Sequence, residues 1–193
     1  MRLAKVFLAV AAVTLLVSGC ARQKNEATQA LTAIETSVSA LKEEGTRYAP
    51  EAYQGVESTL ATLKDSLAKE DYKAVLAGTP ELSKAVDSLK AAIASGKQQF
   101  DAAAAEWGSM SADVPKMVEA IQSRVDILSS SKKLPKNVSQ EALESAKSGL
   151  EWMKSTWAEA SAESADKPAE AVEKAKAVKA KGAEVLAALG MGT

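Results

Sequence analysis

The chain has 193 residues, 24 basic and 25 acidic, with no histidine and one cysteine. Its charge balance argues against a nucleic-acid binder, which needs a basic footprint to displace counterions. The missing histidine removes the commonest general base and a common metal ligand, and a lone cysteine excludes an internal disulfide.

The length suits one domain-sized body that buries a core without staples. Aromatic residues make up only 4%, and the apolar share leans on alanine. Ala, Leu, Glu and Lys dominate, which is the composition of long helices and helical bundles.

Arg2 and Lys5 open the chain as a short positive segment, and Val6 to Val17 form an apolar run broken only by Thr14. That run is the size of a signal-peptide core and too short for the ~20 residues of a spanning helix. It ends in Val17-Ser18-Gly19-Cys20, with Ala21 next.

This ending resembles the bacterial lipobox, in which an apolar residue and two small residues precede the cysteine. The resemblance implies cleavage between Gly19 and Cys20 and acylation of the Cys20 thiol. Residues 1–19 are then a leader whose loss leaves a charge of −3. Two or three acyl chains anchor far better than one. Ala21 stands where an Asp would signal inner-membrane retention, so the resemblance implies the inner leaflet of the outer membrane, with the body facing the periplasm.

Residues 20–26 read as a lipidated polar tether and 27–190 as the helical domain. Ala27, Leu31, Ile34, Val38 and Leu41 form a first apolar stripe, expected to stop at Gly45. Pro50 and Glu51 open a second, with Tyr53, Val56, Leu60, Leu63 and Leu67. Asp71 is an N-cap for a third, which keeps its phase through Pro80 from Tyr72 to Met110 and is expected to be one kinked helix.

Asp113 and Pro115 then predict a new helix with Val118, Ile121, Val125 and Leu128. Residues 129–139 read as a loop. Leu143, Ala146, Leu150, Met153 and Trp157 form a fifth stripe, and a last helix from about Pro168 carries Val172, Ala175, Val178, Val185 and Leu189. Strand-like alternation is absent. The expected fold is all-α, elongated antiparallel hairpins or a helical bundle.

Residues 51–68 and 141–158 agree at an offset of 90, as at Glu51/Glu141, Leu60/Leu150 and Lys64/Lys154. With seven further residues, Ala74-Val75 aligns with Ala171-Val172, which points to related hairpins at 50–95 and 140–189. The Asp71-Tyr72-Lys73-Ala74 step, after a helix opened by Pro50-Glu51, resembles Ala-rich bacterial lipoproteins with an uncharacterised helical domain. It is also similar to tetratricopeptide hairpins, without their 34-residue period.

Candidate chemistry is sparse. Ser66 and Lys69 have the Ser-x-x-Lys spacing of penicillin-recognising enzymes, but Leu67 between them sits on the apolar stripe and the companion motifs are missing. Ser129 and Ser130 repeat the spacing with Lys132 and Lys133. No calcium loop or phosphate-binding glycine loop occurs, so no metal or cofactor is expected. Lys174 and Lys181 lie on a basic stripe that could meet anionic lipid or peptidoglycan, or be solvated with Glu170 pairing Lys174. Trp152 flanks the stripe of the fifth helix and is a candidate partner contact.

The expected function is a non-enzymatic, lipid-anchored helical scaffold or adaptor whose free stripes pair with partner helices as in a coiled coil. Its partner would be an envelope protein, peptidoglycan or a second copy, with the oligomeric state open. The alternative is a periplasmic carrier or chaperone that holds an apolar ligand in a helical groove.

Overall fold

A computed structural model describes the backbone of residues 2–191 and the side chains of 21–191. Gly19 and Cys20 therefore lie outside the described side chains. The helices are α1 (Arg2–Ala40), α2 (Lys42–Tyr48), α3 (Pro50–Ala68), α4 (Tyr72–Ser130), α5 (Gln140–Glu163) and α6 (Pro168–Ala188). There is no strand among the described residues, so the fold is an all-α helical bundle.

Local chemistry sets the helix boundaries. Ala49 adopts φ −148° and ψ 54° before Pro50, and Lys167 adopts φ −134° and ψ 61° before Pro168. In both, the following proline ring crowds the preceding residue out of the helical region. Asp71 caps α4 by accepting from the Ala74 amide at 3.1 Å, and Ser139 caps α5 by accepting from Ala142 at 3.0 Å.

Helix α3 ends with Glu70 in the left-handed region at φ 59°, while the Asp71 amide donates back to the Ser66 carbonyl at 2.9 Å. Gly190, at φ 68°, closes α6 in the same way, with the Met191 amide donating to Leu186 at 3.0 Å. These backward bonds satisfy carbonyls that a helix end leaves open.

Four expectations change. Residues 21–26, read as a tether, are helical, and Arg22 pairs with Glu26 at 2.9 Å. The first stripe does not stop at Gly45: the helix breaks at Leu41 and resumes as α2, with Gly45 buried inside it. A side chain at 45 would collide with the Tyr53 ring, so the absent Cβ lets α2 and α3 meet. Asp113 and Pro115 do not open a helix, because α4 runs through both Pro80 and Pro115. Each proline costs one backbone bond, and the buried stripe continues past each at Leu82 and Ile121. Finally, the loop expected over 129–139 begins only after Ser130.

The chain divides into two compact units, residues 1–97 and 98–193, with α4 passing from one to the other. The first unit packs α1, α3 and the early part of α4 around Leu31, Val38, Val56, Leu60, Leu82 and Leu89. The second packs the later part of α4 with α5 and α6 around Ile121, Val125, Leu143, Leu150, Met153 and Val178. In the second unit Glu106 pairs with Lys176, and Arg124 donates to the Leu189 carbonyl at 3.2 Å. The later part of α4 therefore runs parallel to α6, with α5 antiparallel to both.

The two units share one burial register. Helices α3 and α5 start 90 residues apart, and buried Tyr53, Val56, Leu60 and Leu63 correspond to buried Leu143, Ala146, Leu150 and Met153. Leu31 and Val38 of α1 correspond at the same offset to Ile121 and Leu128. Helices α4 and α6 start 96 apart, and buried Val75, Leu82, Val86, Leu89 and Ile93 correspond to Ala171, Val178, Gly182, Val185 and Leu189. The shift between the hairpins is thus six residues rather than the seven expected from sequence. Helix α5 is five residues longer than α3, and the turn after it is one longer.

Candidate functional site

The face of α4 from residue 106 to 117 carries Glu106, Met110, Asp113, Val114 and Met117 at helical spacing. Together with Ser109 and, from α6, Lys179, these residues line a cavity of about 350 Å³ inside the second unit. That volume falls at the low end of small-molecule sites, about 300–1,000 Å³. Val114 is buried, and Met110 and Met117 pack against the core of the unit. Gly182 of α6 admits Met117: a Cβ there would stand 2.7 Å from its sulfur.

The rim is charged. Glu106 pairs with Lys176 at 3.1 Å and Asp113 with Lys116 at 3.7 Å. Glu173, then Glu106, hold the Lys176 ammonium above its ordinary value. Lys179 has no ion-pair partner among the described residues. None of this cavity was evident in sequence as a site. The spacing of Met110, Val114 and Met117 was visible, but the expected helix start at Asp113 split it.

Trp152 is 45% exposed, on the flank of α5 where the sequence placed it. Its neighbours one turn away are Ser148, Gly149, Ser155 and Thr156, all too small to cover an indole. Lys181 of α6 reaches α5 at Gly149, where its Cε would stand 3.5 Å from an added Cβ. Its ammonium pairs with Glu184 at 2.8 Å. Ile127, at 58% the most exposed large apolar residue among the described ones, was not singled out in the sequence.

Lys174 sits farther along α6. Its Nζ is 2.9 Å from Glu163 and 3.5 Å from Glu159, both on α5. Glu163 first, with Glu159, holds that ammonium above its ordinary value. The expected partner Glu170 instead pairs with Lys167 at 3.2 Å. Lys181 packs its stem against α5 at Gly149, and Lys174 pairs with the end of α5 at Glu159 and Glu163.

Ser66 and Lys69 are engaged locally: the Ser66 hydroxyl donates to the Thr62 carbonyl at 3.2 Å and Lys69 to Asp65 at 2.6 Å. Ser130 donates to the Asp126 carbonyl at 2.8 Å. Among the described residues no cluster of three His, Cys, Asp or Glu could hold a metal, and no helix is long and apolar enough to cross a membrane.

The described residues define a class, an all-α chain of two helical units, the second carrying a cavity lined in part by Met110 and Met117. No protein-family model, no curated protein and no solved structure matches the chain.

Proposed function

We propose that this chain is a non-enzymatic bacterial lipoprotein, anchored through acylated Cys20 and acting as a helical adaptor in the cell envelope. The observation that carries the anchor is the Val17-Ser18-Gly19-Cys20 ending of a short apolar run, with the only cysteine of the chain at its last position. With Ala21 following, the anchor is the inner leaflet of the outer membrane and the helices face the periplasm. Replacing Cys20 with Ala is expected to abolish acyl labelling and release the chain from membranes. Retention of the acyl label would sink this reading.

Trp152 supports the adaptor role. A large indole left open among small residues is the kind of side chain that anchors protein interfaces. Lys181, which pairs with Glu184, is a second candidate contact for an envelope protein, peptidoglycan or anionic lipid. The test is a photo-reactive residue at position 152 in intact cells, with mass spectrometry of the adducts. A discrete envelope protein supports the adaptor, and adducts only with a second copy support self-assembly. Absence of any protein adduct there overturns the adaptor role.

A second reading, a carrier for an apolar ligand, is favoured by one observation, the cavity lined by Met110, Val114 and Met117.

A further inference from the structure

We propose that the cavity between α4 and α6 binds a single-chain amphiphile with an anionic head, its acyl chain against Met110, Val114 and Met117 and its head on Lys179. This rests on the carrier reading and adds the ligand class.

The floor sets the tail. Two thioethers and a valine offer apolar surface without a fixed shape, and unbranched Met side chains adapt to a flexible chain. The volume of about 350 Å³ suits one short chain, not a two-chain lipid.

The rim sets the head. Three charged side chains line the cavity, and two of them have a lysine partner: Glu106 has Lys176, shared with Glu173, and Asp113 has Lys116 at 3.7 Å. A cationic head would have to displace those lysines. Lys179 is the cation left over, and a carboxylate or phosphate at the mouth completes it. Ser109 adds a hydroxyl donor on the same rim.

The test uses the full chain in its membrane preparation and three photo-reactive probes with a diazirine at the end of a ten-carbon chain: the carboxylate, the alcohol and the trimethylammonium. Adduct sites are mapped by mass spectrometry. The carboxylate probe is expected to label Met110, Val114 or Met117, at least fivefold more than either other probe. Lys179→Glu and Ser109→Phe are expected to cut that labelling at least fivefold. Both residues are exposed, so helix content, checked by circular dichroism, is expected to be kept.

No labelling of these residues by any probe overturns the site and the carrier reading with it. Labelling by the alcohol or the ammonium as strong as by the carboxylate overturns the anionic head and leaves the carrier reading standing. Labelling unchanged in Lys179→Glu removes the assigned role of that lysine and overturns the proposal.

Discussion

Trp107 on α4 and Trp157 on α5 stack with ring centroids 4.9 Å apart and planes 19° apart. The contact ties the two helices at the end of the second unit where the core residues are smallest. A stacked aromatic pair contributes about 0.5–1.5 kcal/mol beyond its buried area. A double-mutant cycle with Trp107→Leu and Trp157→Leu, read by urea denaturation, should return a coupling of about 1 kcal/mol. Additive single effects would show that the stack adds nothing beyond area.

The aromatic residues also label the units. Trp107, Trp152 and Trp157 all lie in the second, and Tyr48, Tyr53 and Tyr72 all lie in the first. Tryptophan fluorescence therefore follows one unit and tyrosine signals the other.

Two glycines should respond in opposite directions to alanine. A Cβ at Gly96 of α4 would run into the Tyr48 carbonyl, and backbone cannot move aside cheaply. Gly96→Ala is expected to cost about 2 kcal/mol or more, read by tyrosine signals in denaturation. Gly55 in α3 has nothing within 4 Å of its missing Cβ, so Gly55→Ala should gain about 0.5–1 kcal/mol. A gain at 96 would contradict the close approach.

The side-chain caps of α4 and α5 are separately testable. Ser139→Ala leaves the Ala142 amide without its acceptor and should cost about 1 kcal/mol in the tryptophan-reported transition. Asp71→Ala should cost about the same in the tyrosine-reported one. Asparagine at either position should restore most of the loss.

Stability should fall in alkali. Burial pushes the Tyr53 hydroxyl above the ordinary 10.0, and its bond to Glu57 adds to that. Glu163 raises Lys174 above 10.5, and Glu173 and Glu106 raise Lys176. In each case the folded state holds its proton more tightly than the unfolded chain. The stability so gained is complete below the unfolded values and is lost as pH rises through the folded ones. Thermal midpoints should therefore drop from about pH 10 upward. Tyr53→Phe should flatten the first part of that fall, and a slope unchanged by the substitution would assign it to the lysines.

Much of the fold was legible in sequence because amphipathic helices write their period into the chain. The stripes through Tyr53, Val56, Leu60 and Leu63, and through Leu143, Ala146, Leu150 and Met153, are buried as read. Helix starts with a local cause, Pro50, Asp71 and Pro168, were also readable, since proline and a capping carboxylate act within a few residues. The start inferred from Asp113 and Pro115 failed. Whether a helix ends there or accepts one missing bond depends on what the rest of its face packs against, and that information is remote in sequence.

The sequence by itself determined the class of the fold and the position of its buried stripes. These follow from propensity, periodicity and short motifs, which are local. Only the tertiary structure decided that α4 continues through two prolines and that the shared register shifts by six. It alone decided that Lys174 belongs to Glu163, and that Met110, Val114 and Met117 meet Lys179 around a cavity. Those facts depend on which helices are neighbours and at what height, and no local preference encodes that.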